Sequence, residues 1–149
     1  MGRNFMQDFK AISALDAVSL TATTNGIVID TQGYESLAFT LNVGDFVTFD
    51  GTNNLTITVQ EGDASNLSDA ANIAAADYLD ARNEAGAVWD RLLNAAAEDE
   101  QAYLIGVVVN TKRYKRIVIT EAGIVTVPIS ATALLGHPRH APAGVTQAP

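Results

Sequence analysis

Lys112, Arg113, Lys115 and Arg116 crowd around Tyr114, placing four of the chain's nine Lys and Arg residues in one short stretch. In a β-strand, Arg113 and Lys115 would share one face, and Tyr114 and Arg116 the other. Cations on both faces are either solvated or set against an acidic partner. Lys, Arg and an aromatic ring together are what a phosphate or nucleic-acid contact needs. They also suit a charged strand end that keeps an apolar strand from pairing with strangers. A third use is an ion-pair surface facing acidic residues of a neighbouring subunit. The net charge of −8 repels a polyanion, so the strand-end and subunit readings are preferred to nucleic acid.

Other chemistry-bearing residues are sparse. His137 and His140 are the only histidines and form an H-x-x-H pair. Pro138 restricts the backbone between them, and no neighbouring Asp or Glu completes a metal site. Asp45, Asp50, Asn53 and Asn54 offer oxygen ligands, but they miss the spacing of a calcium loop and suit turns better. Asp63, Asp77, Asp80, Glu98, Asp99 and Glu100 supply carboxylates. A glycosidase needs two of these across a groove, and the linear pattern pairs none of them. No G-x-S-x-G, P-loop or dinucleotide fingerprint occurs. The chain has no cysteine, which excludes disulfides, thiolate metal sites and cysteine nucleophiles. No catalytic residue, metal or cofactor is expected.

The cationic stretch lies within Tyr103 to Thr120, YLIGVVVNTKRYKRIVIT. Val107 to Val109 and Ile117 to Ile119 are β-branched runs suited to a pleated sheet. Asn110 and Thr111 suit a turn, so two strands joined as a hairpin are expected. Tyr34 to Val43 alternates cleanly, with Leu37, Phe39, Leu41 and Val43 on one side. Leu55, Ile57 and Val59 mark a second alternating strand. Ile27 to Ile29 is a short strand after the Asn25-Gly26 turn, and Val18, Leu20 and Ala22 alternate with polar residues before it. Ile124 to Leu135 is the last strand. Pro128 cannot donate a ladder hydrogen bond, so an edge position or a bulge is expected there. Residues 63–102 differ, being rich in Ala with almost no β-branched side chains. Val88, Leu92 and Ala96 fall at helical spacing, which predicts a helix near 87–99, and a shorter helical turn near 69–82 follows the N-cap candidate Ser68. Trp89 would be a packing anchor.

A chain of 149 residues suits one domain with a real core, and a charged fraction of only 17% argues against disorder. The expected fold class is mainly β: a single-domain β-sandwich or jelly-roll-like body with one Ala-rich helical insertion and extended terminal arms. Its expected divisions are an arm over residues 1–10, a β domain over 11–135 with the insertion at about 68–101, and a tail over 136–149. Phe5 and Phe9 give the arm apolar groups to dock. Three of the four prolines lie in the last twelve residues, a composition that orders on a neighbour rather than on itself. No run is long and apolar enough for a transmembrane helix, and the first residues lack the apolar core of a signal peptide. The acidic balance also disfavours an anionic membrane.

Three pieces of the chain carry a resemblance: the segment with GYESLAFTLNVG at Gly33 to Gly44, the aromatic-to-basic hairpin expected at Tyr103 to Ile119 with its KRYKRIVIT, and the closing LLGHPRHAP at Leu134 to Pro142. In order and spacing they resemble small structural proteins of tailed bacteriophages and prophages. The long Ala-rich insert, about 64–101, departs from that pattern. The resemblance implies a non-enzymatic virion component assembled in the bacterial host cytoplasm. Within that class it implies a head decoration, or cement, protein on the outer capsid. The implied partners are the major capsid protein and copies of itself, as a homotrimer, with no nucleic acid and no membrane. The expected contact residues are Phe5, Phe9, Lys112, Arg113, Tyr114, Lys115, Arg116, His137, Pro138, Arg139 and His140. The alternative is a tail or fibre-associated component for tail assembly or host attachment. A small hydrolase of cell-wall glycans ranks third.

Overall fold

Strands form wherever apolar and polar residues alternate, because a half-buried strand turns successive side chains to opposite faces. The computed structural model describes residues 8–46, 49–79, 91–95, 97–123 and 125–139, with Arg91 through its backbone only. In chain order the strands are β1 (Phe9–Leu20), β2 (Thr24–Asn25), β3 (Ile29–Asp30), β4 (Tyr34–Val43), β5 (Asn54–Gly62), β6 (Ala71–Asn72), β7 (Arg91–Leu93), β8 (Ala102–Val107), β9 (Tyr114–Ala122) and β10 (Val127–Pro138). They build two antiparallel sheets. The first has the order β1-β10-β4-β8; the second has the order β2-β9-β5-β6, with β3 also on β9 and β7 also on β5. This is the mainly β, sandwich-like single domain that the alternation predicts.

The two inner faces make one core. Leu37, Phe39, Leu41, Ile105, Val107, Ala131 and Ala133 from the first sheet meet Leu55, Ile57, Val59, Ile117 and Ile119 from the second, all buried. Each edge of the second sheet is made of two short pieces. On one edge β2 and β3 pair with β9 on either side of Gly26. Gly26 donates its N–H to Ile117 O at 2.8 Å, and a Cβ there would lie 2.5 Å from Ala14 O. Only a glycine lets the chain pass so close to both sheets.

Several expectations are corrected. The two strands around the cationic stretch are not a hairpin. β8 pairs with β4 in the first sheet, and β9 pairs with β5 in the second. The connection over residues 108–113 therefore crosses the sandwich, a gap of about 10 Å that a tight two-residue turn cannot span. Each strand turns its apolar face inward from opposite sides. Pro128 is not at a sheet edge either, since β10 lies between β1 and β4. Pro128 stands at the strand's start, where the ladder with β4 begins only at Ile129, and its carbonyl accepts from Gly44 N–H at 2.7 Å. In β1 two register shifts break the simple alternation, leaving Val18 43% exposed while Leu20 is buried.

The helical insertion is corrected over its described part. Residues Arg91–Leu93, expected within a helix, form β7 on β5, and Ala71–Asn72 form β6. Ala75–Asp77 is a single 3-10 turn. Residues 80–90, Trp89 included, lie outside the described residues. Intrinsic helix preference is worth only tenths of a kcal/mol per residue. Burying Leu93 opposite Leu55 contributes on the order of 2 kcal/mol and satisfies the open side of β5 as well. Ile73 and Tyr78 are likewise drawn into the core, and the Tyr78 hydroxyl accepts from Val59 N–H at 3.0 Å. No helix among the described residues is long and apolar enough to cross a membrane.

Candidate functional site at the cationic end

Every cation of the basic stretch meets a group of its own chain. The cross-strand register sets Lys115 opposite Glu61, Arg116 opposite Gln60 and Tyr114 opposite Asp30. Lys115 is fully buried and pairs with the Glu61 carboxylate, while also donating to Thr111 Oγ1 at 3.0 Å. Thr111 donates in turn to the same Glu61 oxygen. Arg116 points the other way and donates twice to Gln60 Oε1, at 3.0 and 2.8 Å. Arg113 forms a two-bond fork with Asp30, at 2.9 and 2.7 Å, and stands 4.9 Å from the centre of the Tyr114 ring. Lys112 pairs with Asp63.

The electrostatics follow from these partners. The Arg113 guanidinium holds the Asp30 carboxyl below its ordinary range, and Gln32 N–H adds to the effect. Arg113 is raised in return by its hydrogen bond to Asp30. Lys112 is raised by hydrogen bonding to Asp63, then by that carboxylate's charge. Asp69 is lowered by the backbone N–H of Asp63 and of Ala64. The turn that aims Asp30 depends on Gly33, whose φ of +86° favours glycine.

The sequence places Lys115 among the outward contact residues; the structure turns it inward, where it belongs to the sandwich itself. Lys112 and Arg113 keep side chains 45% and 44% exposed. Together with Arg139 and Tyr34 they line a cavity of about 260 Å³ at this end. Arg139 is held there by its backbone N–H on Gly33 O at 2.9 Å. The expected tail boundary shifts, because β10 runs on through Gly136 and His137 to Pro138. Phe9, assigned to an arm, is in β1 opposite Gly136, and its ring meets the edge of His137 with centroids 6.1 Å apart. Ser36 Oγ lies 3.1 Å from His137 Nδ1. Phe5 and His140 lie outside the described residues. No group of three or more His, Cys, Asp or Glu able to hold a metal occurs among the described residues.

The pairing of the cations with Asp30, Glu61 and Asp63 is what linear reasoning missed, although Asp63 was among the candidate carboxylates. These acids lie about fifty or eighty positions from their cations, and only strand register brings them there. The cations are confined to one end of the strands, where Asp30, Glu35, Glu61, Asp63 and Asp69 stand beside them. Each described Lys and Arg side chain stands in the half of the sandwich where β1 and β9 begin and β10 ends. Asp45, Asp50, Glu98, Asp99, Glu100 and Glu121 gather at the far end, where β4 leaves, β5 starts and β9 stops. Several of those carboxylates cap backbone N–H groups, as Asp50 does for Thr52 and Asn53 and Glu98 does for Asn94 and Ala95. The first bonds hold Asp50 below its ordinary range.

The architecture defines a two-sheet antiparallel β-sandwich in which β1 begins and β10 ends side by side at the cationic end. No family model matches the chain, and no curated protein matches it. Among solved structures it is similar to the crystal structure of the SPBc2 prophage-derived protein YomS. The TM-score is 0.50 at 11% identity, covering 87% of this chain and 94% of that one. At that identity the likeness is one of fold.

Proposed function

We propose that this protein is a non-enzymatic structural component of a tailed-phage virion, set on the outer capsid surface as a cement protein. The observation that carries the proposal is the sandwich it shares with a prophage-derived protein over nearly the whole of both chains. The sequence motifs at Gly33, Lys112 and Leu134 point to the same class. The geometry supports a clamp. Phe9 and Gly136 are paired, so β1 starts and β10 ends side by side at the cationic end. The chain beyond both strands therefore departs from one place, next to Arg139, Lys112 and Arg113. Segments leaving from one place could grip neighbouring subunits together, and many copies around one shell would add avidity to weak single contacts. The capsid protein and further copies of this chain are the proposed partners, and the virion its location.

Two experiments test the proposal. Antibody labelling of intact particles, viewed by electron microscopy, should mark the head. Label confined to the tail would move the function to tail assembly or host attachment, and unlabelled particles would remove the virion reading. Deleting residues 140–149, a cut placed after Arg139 and its bond to Gly33 O, should leave the sandwich folded and reduce occupancy on particles. Unchanged occupancy would refute the clamp.

A further inference from the structure

The cavity of about 260 Å³ at the cationic end is lined by Lys112, Arg113 and Arg139 and by no Asp or Glu. In a chain with 9 Lys and Arg against 17 Asp and Glu, that reverses the overall balance. Asp30 and Asp63, the carboxylates paired with Arg113 and Lys112, stand outside the lining. They restrain two of the cations without filling the space. Arg113 uses Nε and Nη2 on Asp30, which leaves Nη1 for another acceptor. Lys112 gives only part of its donor capacity to Asp63. The Arg139 guanidinium has no ion pair or hydrogen bond among the described residues.

Main-chain bonds hold the walls together. Thr31, only 4% exposed, donates its N–H and its hydroxyl to Arg113 O, at 3.1 and 2.7 Å. Arg139 donates its N–H to Gly33 O at 2.9 Å. The turn after β3, the crossing at 109–113 and the end of β10 are thereby joined, so the cavity is preformed. At Gly33 a Cβ would meet nothing within 4 Å, which leaves the backbone open to a ligand there.

We infer that this cavity binds a phosphoryl group, carried by a small sugar phosphate or as free phosphate. Three cations match the three acceptor oxygens and nearly double charge of a phosphate monoester, whereas a carboxylate is satisfied by a single Arg fork. Size and charge select a small ligand. The volume lies just under the roughly 300–1,000 Å³ of ordinary ligand sites, and the net charge of −8 repels a polyanion. Gln32, Asn110, Thr111 and the Tyr34 ring complete the lining, a set of polar groups and one aromatic that suits a hydroxylated ring beside the phosphate. The inference stands apart from the virion reading and does not depend on it.

The test is titration of the isotope-labelled full-length chain at constant ionic strength, followed by NMR and calorimetry. The probes are inorganic phosphate, a glucose phosphate and acetate. Saturable binding with a Kd at or below about 1 mM is expected for a phosphate probe, with amide shifts centred on Gly33, Asn110 and Thr111. Arg139→Gln should weaken it about tenfold or more. That change spares the fold, because Arg139 is held through its backbone N–H. Lys10→Gln removes the same charge from β1 outside the cavity and should alter the affinity by less than about twofold. Tighter binding of the glucose phosphate assigns the ligand to a phosphorylated sugar, and equal or tighter binding of inorganic phosphate assigns it to the free ion; either upholds the site. The inference is overturned if neither phosphate binds saturably, if acetate binds as tightly as phosphate, or if both variants lose affinity equally.

Discussion

Replacing Glu61 with Gln strands the Lys115 ammonium inside the sandwich. The Lys115 side chain has no exposure and that of Glu61 only 14%. Thr111 Oγ1 and the new amide oxygen could still accept from the amine, but neither carries a counter-charge. An ion left in such a site without its counter-charge costs about 3–5 kcal/mol, because the desolvation already incurred is no longer offset. For a chain of this size each kcal/mol moves the melting temperature by about 2–4 °C, so a drop of roughly 6–20 °C is expected. Thermal and urea denaturation of Glu61→Gln against wild type measure it. The decisive companion is Lys115→Met combined with Glu61→Met. Removing both charges together should return stability to within about 1 kcal/mol of wild type or above it, since a paired buried ion contributes little net stability. The double-mutant cycle then isolates a large coupling between the two positions. A loss under about 1 kcal/mol for Glu61→Gln would show that the ammonium reaches water after all and that the pair behaves like a surface bridge. A double variant as unstable as the single one would refute the electrostatic account and leave packing as the cause.

Acid sensitivity should trace in part to Asp30. Its carboxyl is depressed in the folded protein from an ordinary value of 3.8, so its contribution is present above that pH and is lost as pH falls through the folded value. Arg113→Gln, which removes the main cause, should flatten the acid limb of a stability–pH curve measured by urea midpoint; an unchanged limb would assign it elsewhere. Gly26→Ala should destabilise by about 1–3 kcal/mol through overpacking, because its Cβ would lie 2.5 Å from Ala14 O and 2.7 Å from Ile117 Cγ2. A neutral result by chemical denaturation would show that β2 and β3 can move apart freely. Leu93→Ala should cost about 2–5 kcal/mol and its neighbour Leu92→Ala much less, since Leu93 is fully buried and Leu92 is 43% exposed. Equal losses in urea titrations would contradict the strand at β7.

The strand content was legible because period-two alternation is a local property. β4 runs over the same residues, Tyr34–Val43, that the pattern marks, and Leu55, Ile57 and Val59 face inward as their spacing demands. Where the local signal is weak, tertiary contacts prevail. Leu92 and Leu93 suit a helix in isolation, yet the open side of β5 and a vacancy in the core for Leu93 select a strand. Partner choice between strands is invisible in a linear pattern, since β8 and β9 are adjacent in sequence and lie in different sheets.

The cationic stretch divides in the same way. Its residue types and their clustering belong to the sequence alone, as do the absence of cysteine and the net negative charge. That Lys115 is buried on Glu61 while Arg116 faces outward on Gln60, and that Asp30 and Asp63 receive Arg113 and Lys112, was decided by the register of β9 against β5 and β3. The physical reason is range. Side-chain alternation acts over two residues, whereas ion pairs between positions fifty to eighty apart exist only once hydrophobic burial has chosen which strands lie together.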